Sequence, residues 1–196
     1  MIRIAVLGEI GSGKSHVAKL FGYPVFNADD EVARLYKKNR KCYNKLKKIF
    51  PKYIISFPVR KEELSKAILA NEHNLKKVVK IVHPEVRFSM NSFIKKNKNK
   101  KFVVLDIPLL IENKMNKKND ILVFVNATKK EINKRLKKRI NFNFKIFKKL
   151  KKFQLPVEKK KKQANFVIKN NFKNIYVKKN VRRVKEKILL NARSYT

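Results

Sequence analysis

Gly8-Glu9-Ile10-Gly11-Ser12-Gly13-Lys14-Ser15 decides the reading of this sequence, because it fits G-x-x-x-x-G-K-[ST] at every position. Glycines let the backbone turn its N–H groups inward around phosphate oxygens, where a Cβ would clash. The ammonium of Lys14 can reach the outer phosphates as a mobile point charge, and the Ser15 hydroxyl can bind Mg²⁺. The flanks agree with the loop. Arg3 to Leu7 is an apolar run suited to a buried parallel strand, and Lys14 to about Phe21 suits a helix that Gly22 and Pro24 end. Glu9 lies among expected phosphate contacts, but a loop that binds through its backbone leaves that side chain to solvent.

Working outward, Val25-Phe26 predicts a short second strand with Asn27-Ala28-Asp29-Asp30 at its carboxyl end and a helix starting near Asp30. Residues 37 to about 101 read as helical, with Leu64, Ile68, Leu75, Val78, Val79 and Val82 at helical spacing. Pro84 is expected to bend or restart that helix. Phe102-Val103-Val104-Leu105 is a buried strand ending in Asp106-Ile107-Pro108, and Ile121 to Val125 is another. Thr128 or Asn126 starts a helix that carries Arg135 and Arg139 on one face. Phe166-Val167-Ile168 predicts a last short strand, Lys159 to Lys162 a solvated helix face, and Val181 to Leu190 a last helix. Strands alternating with helices predict an α/β fold with a parallel sheet covered on both faces. Ligands of such sheets bind beyond the carboxyl ends of the strands, where the glycine loop, Asp29, Asp106 and Pro108 all fall.

Composition narrows the class. A chain of 196 residues that is 43% hydrophobic fits one domain with a real core. No apolar run is long enough to span a membrane, and the N-terminus lacks the pattern of a signal peptide. The lone Cys42 excludes an internal disulfide and points to a reduced, cytoplasmic compartment. The charge is extreme: 52 Lys+Arg against 14 Asp+Glu give +38. That balance suits a nucleic-acid partner, yet the lysines are spread along the whole chain. Lys, Asn, Ile and Phe are abundant together and share A/T-rich codons, so composition accounts for much of the lysine.

A glycine loop alone does not separate a GTPase, an ATPase and a kinase. Asp29 can accept a proton from an acceptor hydroxyl or cap a helix. Asp106 can help hold Mg²⁺ or merely begin a loop. Arg135 and Arg139 can meet base and phosphates or form a solvated face. His83 has no metal-ligand spacing with His16 or His73.

In chain order, the loop Gly8 to Ser15 is followed by Pro24-Val25-Phe26-Asn27-Ala28-Asp29, His83-Pro84 with Arg87, and Leu105-Asp106-Ile107-Pro108-Leu109-Leu110-Ile111-Glu112. Then come Arg135-Leu136 with Arg139, Gln154-Leu155-Pro156, Lys160, Ala164, Phe166-Val167-Ile168 and Asn170. With these elements the chain resembles the dephospho-coenzyme A kinase family up to about Asn170. The resemblance implies a three-layer parallel sheet of P-loop kinase type in a single domain, with a helical acceptor lobe at about 37–100 and a lid at about 140–155. It implies ATP held by Gly11, Ser12, Gly13, Lys14, Ser15, His16 and Arg135; the residues themselves offer Ser15 to Mg²⁺, with Asp106 as a second candidate. It implies Asp29 as general base, Lys14 and Arg139 on the transferring phosphoryl group, and His83, Arg87, Leu109 and Glu112 on the side of dephospho-coenzyme A. A cytoplasmic monomer with no membrane or specific nucleic-acid partner is the accompanying expectation. The chain departs from the family pattern at Glu9 (usually Gly), His16 (usually Thr), Asn27 (usually Asp) and Asn165 (usually Asp). The usual Asp-Gly turn before the acceptor-lobe arginine is missing, leaving Arg60 or Lys61 for that place.

Two rivals remain: a nucleoside or nucleotide kinase of the same fold, and a nucleic-acid-binding P-loop protein. The second predicts clustered cations and stacking aromatics, whereas the Phe residues here lie in apolar segments. Binding to nucleic acid is therefore expected to be weak, indifferent to sequence and steeply lost with salt, as anisotropy titrations at several salt concentrations will read. Sequence-selective binding that persists at physiological salt would revive that rival.

Overall fold

The computed structural model describes residues 1–140 and 142–193. Asn141, inside the expected lid, lies outside the described residues. In order the elements are β1 (Ile2–Gly8), α1 (Lys14–Leu20), β2 (Val25–Asn27), α2 (Ala28–Lys38), α3 (Arg40–Ile49), α4 (Lys61–Ala70) and α5 (Asn74–Lys96). They continue with β3 (Phe102–Asp106), β4 (Ile121–Asn126), α6 (Lys129–Lys137), α7 (Phe144–Lys151), α8 (Val157–Gln163), β5 (Phe166–Lys169) and α9 (Asn174–Arg193). The chain divides into two compact units. One is Met1–Asn27, Asn97–Phe142 and Lys151–Thr196; the other is Ala28–Lys96 and Asn143–Leu150.

The first unit is built on a parallel sheet in the order β2-β3-β1-β4-β5. Its central strands are apolar on both sides because both faces are covered. Ile4, Val6, Phe102, Val104, Val123 and Val125 meet Val17, Ala18 and Phe21 of α1 and Val177, Val181, Val184 and Ile188 of α9. The alternate residues Ala5, Leu7, Val103, Leu105 and Phe124 are buried as well, and α8 packs on β1 and β4. The expected helix-sheet-helix layering is thus present.

A buried charge enters the sheet in β1. Arg3, beside the start of β4, bonds to the Asp120 carboxylate at 2.5 Å and to the Met115 carbonyl at 3.2 Å. The same carboxylate accepts the Lys117 N–H at 2.9 Å, so the turn before β4 is tied to β1.

The second unit is helical. Leu35, Cys42, Leu46, Leu64, Ala67, Leu75, Val78, Val82 and Met90 are buried in it. Burial pushes the Cys42 thiol up to about 11, which suits an inert core residue. Glu63 accepts the Ser56 hydroxyl at 2.6 Å and so fixes the loop ahead of α4. Lys149 of α7 donates to the carbonyls of Ile68 (2.7 Å) and Asn71 (3.0 Å), a cation on the last carbonyls of α4.

Three local expectations change. Helix α2 begins at Ala28, so Asp29 and Asp30 are both first-turn acids and neither is the cap. Helix α5 runs unbroken through Pro84: one lost hydrogen bond is outweighed by the buried stripe of Val78, Ile81, Val82, Val86 and Met90 on either side of it. Helix α6 ends at Lys137, so Arg139 lies beyond it and does not share a helix face with Arg135. Only Ile132 and Leu136 of α6 are buried, and the next apolar residue at that spacing, Ile140, is exposed and gives no core contact to hold another turn.

Candidate active site

The glycine loop leaves β1 in the middle of the sheet and enters α1 at Lys14. Gly8, Gly11 and Gly13 take φ of +148°, +88° and +91°, backbone that side chains rarely adopt. Space forbids a side chain as well. A Cβ on Gly8 would stand 2.7 Å from Ser12 Oγ and 2.8 Å from the Val125 carbonyl. One on Gly11 would meet Leu136 at 3.1 Å, and one on Gly13 would lie 2.3 Å from Asn170 Nδ2. The Ser12 N–H closes a turn onto the Glu9 carbonyl at 3.1 Å, and Lys14 Nζ donates to that same carbonyl at 2.8 Å. Lys14 is 8% exposed. Its charge is thus folded back over the loop that an anion would occupy. Ser12 Oγ is buried with no hydrogen-bond partner, a polar orphan suited to an arriving phosphate oxygen. Ser15 is half-buried and His16 is exposed.

Beside the loop, Asp106 ends β3 and is 3% exposed. Asn27, its register partner at the end of β2, donates Nδ2 to Asp106 Oδ2 at 2.7 Å. The Asp106 carboxylate thus faces an amide donor at the end of β2. Arg135 stands over the Phe172 ring, its guanidinium carbon 5.1 Å from the centroid, and that ring edge flanks Gly13. Arg139 is exposed.

Leu109 and Glu112 sit in the turns after β3. Leu109 is half-buried, and its carbonyl accepts from the Asn113 side chain at 2.8 Å. Glu112 forms an ion pair with Lys160 of α8 at 3.2 Å, the two side chains 9% and 2% exposed. The Leu155 N–H adds a hydrogen bond to Glu112 at 3.0 Å, and the Gln154 amide reaches the Pro108 carbonyl at 3.5 Å. The motif pieces Pro108 to Glu112 and Gln154 to Pro156, more than forty positions apart, are thereby one assembly. Lys160 is the residue that the sequence misplaces: expected in a solvated run, it is buried, while Lys159, Lys161 and Lys162 are exposed. One inward position per helical turn was the available signal.

In the second unit, Asp29 and Asp30 are exposed on the first turn of α2, and the next acid, Glu31, bonds to Arg34 at 2.6 Å. That hydrogen bond holds the Glu31 carboxyl below its usual range. His83 is half-buried and Arg87 exposed on α5. Arg60 is the N-cap of α4 and Lys61 its first residue, both exposed.

The family model described as dephospho-CoA kinase matches residues 2–175. The chain belongs to the dephospho-CoA kinase family. A relative of that name from Wolbachia pipientis is 34% identical over 193 residues, 96% of this chain and 98% of the relative. Another, from Bartonella quintana, is 35% identical over 170 residues, 84% and 87% of the two chains. A crystal structure of a Thermus thermophilus protein superposes with TM-score 0.76 at 28% identity, covering 97% of both chains. The dephospho-CoA kinase of Campylobacter jejuni shares the fold, with TM-score 0.61 at 21% identity over 96% and 98% of the chains. The glycine loop and the turn locked by Glu112 are therefore features of a dephospho-CoA kinase family enzyme.

The buried pair yields a test. Glu112→Ala leaves the Lys160 charge unpaired, which costs about 3–5 kcal/mol. Urea unfolding of Glu112→Ala against wild type measures it. The double variant Glu112→Leu/Lys160→Met is expected to recover most of the loss.

Proposed function

We propose that this enzyme transfers the γ-phosphoryl group of ATP to the ribose 3′-hydroxyl of dephospho-coenzyme A, giving coenzyme A and ADP. The observation that carries the proposal is the family match over residues 2–175, joined to a glycine loop whose shape leaves its backbone for an anion.

In this reading Gly11 to His16 hold the phosphates of ATP, and Arg135 with Phe172 borders the base. The arrival of phosphate gives Lys14 Nζ a charged partner in place of the Glu9 carbonyl. Mg²⁺ fits the oxygen donors Ser15 and Asp106, which suit a hard cation that keeps waters and phosphate as its other ligands. When bound, it offsets negative charge on the phosphate oxygens. Asp29 orients the 3′-hydroxyl and takes its proton as the oxygen bonds to phosphorus and the bond to the β–γ bridging oxygen breaks. Lys14 and Arg139 neutralise the charge on the transferring group. His83, Arg87 and Leu109 belong to the acceptor side. Glu112 serves it through the turn that it locks to Lys160 and Leu155. The enzyme works in the cytoplasm with no specific nucleic-acid partner.

ADP release is expected only with ATP, Mg²⁺ and dephospho-coenzyme A together. Assays with dephospho-coenzyme A, AMP, CMP and adenosine side by side test this, and faster turnover of a nucleoside monophosphate overturns the acceptor. Asp29→Asn is expected to lower kcat about 10²–10⁴-fold, roughly 3–5 kcal/mol of barrier, with binding of an ATP analogue kept. Asp30→Asn is expected to leave kcat near wild type. An inactive Asp30→Asn beside an active Asp29→Asn would reverse the assignment.

A further inference from the structure

Asn170 follows β5 and is 3% exposed. Its side-chain amide bridges the glycine loop and the segment that follows β5. Its backbone N–H extends the β4–β5 pairing onto the Asn126 carbonyl at 2.7 Å. Its Nδ2 donates to the Ser12 carbonyl at 2.7 Å, and its Oδ1 accepts the Phe172 N–H at 2.9 Å. The side-chain amide is pressed on the loop so closely that a Cβ on Gly13 would lie 2.3 Å from Nδ2.

The Ser12 carbonyl and the Gly13 N–H share one planar trans peptide and point in opposite directions. A peptide between two residues of a glycine-rich loop has little of its own to stop it from turning over. If it turned, a carbonyl oxygen would replace an N–H donor in front of an anion. We infer that Asn170 is a positioning residue for nucleotide binding: by holding the Ser12 carbonyl, it keeps the Gly13 N–H facing the phosphates. The same side chain, through Phe172, fixes the ring against which Arg135 rests. One amide thus sets the phosphate loop and the adjoining aromatic wall together. This rests on the reading of Gly8 to Ser15 as the ATP loop.

The variant Asn170→Asp has the same shape and keeps the acceptor for Phe172. It replaces the donor to Ser12 by an oxygen facing an oxygen. Asn180→Ala is the control: Asn180 Nδ2 donates to the Lys169 carbonyl at 3.0 Å and steadies the same β5–α9 junction. Kd for a non-hydrolysable ATP analogue, KM for each substrate and the thermal midpoint are measured for both variants. For Asn170→Asp, Kd and KM for ATP are expected to rise about tenfold or more, with KM for dephospho-coenzyme A unchanged. Asn180→Ala is expected to shift the thermal midpoint alone. An unchanged Kd in Asn170→Asp overturns the inference. So does an equal rise in Asn180→Ala, which would make the effect one of general loosening. Should Asn170→Asp not fold, Asn170→Ser is the second variant. In the unsubstituted protein one Asn170 side-chain amide proton must also exchange slowly with solvent, and fast exchange of both overturns the inference. A wild-type protein that binds no ATP analogue would instead sink the reading of the loop itself.

Discussion

The loop Gly8 to Ser15 binds through its backbone, and a loop chosen for bare backbone cannot hold its own shape. Three of its residues have no side chain and sit at positive φ. Its form is therefore imposed from outside. The Val125 carbonyl crowds Gly8, Ile132 and Leu136 close on Gly11, and Asn170 and Phe172 close on Gly13. These neighbours come from β4, from α6 and from the segment after β5. The central place of β1 between β3 and β4 follows from the same need, since it puts walls on both sides of the loop.

Among the described residues, the buried ion pairs share one region. The surface carries nearly all of a net charge of +38. Two pairs are inside: Arg3 with Asp120, and Lys160 with Glu112. Both hold the long connection between β3 and β4, one at its end and one near its start. Buried pairs add little net stability over apolar residues of the same volume, but a missing partner is costly. Their effect is to give a connection of mostly irregular backbone one conformation. Gln154 and Leu155 then have a fixed surface to dock on.

The sheet was legible because its signals are local: continuous apolar runs at 4–7, 102–105 and 121–125, and a glycine loop whose residue types follow from phosphate chemistry. The capping box that joins Thr128 and Glu131 resolves the start of α6 in favour of Thr128 over Asn126. What sequence reasoning missed depends on partners far along the chain. Pro84 signals a break only until the buried stripe beneath it is counted. Arg139 sits at helical spacing from Arg135, yet Ile140, the apolar residue one turn beyond Leu136, finds no core to pack in and α6 stops. Lys160 is one lysine among four, and only Glu112 tells it from the others. Asn170 fell within the resembling pattern with no role, because its partner Ser12 lies 158 positions earlier.

That separation also bears on how the chain is made. Synthesis starts at the amino end, and domains fold as units during it. Strand β1 emerges first, but its partners are Phe102 to Asp106 on one side and Ile121 to Val125 on the other. This strand must wait unpaired through a long lysine-rich stretch, and the ring of contacts around Gly13 closes only once Asn170 has been added. Non-local pairing of this kind slows folding and leaves apolar segments open to wrong partners. A nascent chain crowded with like charges repels its neighbours over that interval. The lysines spread along this stretch carry that like charge.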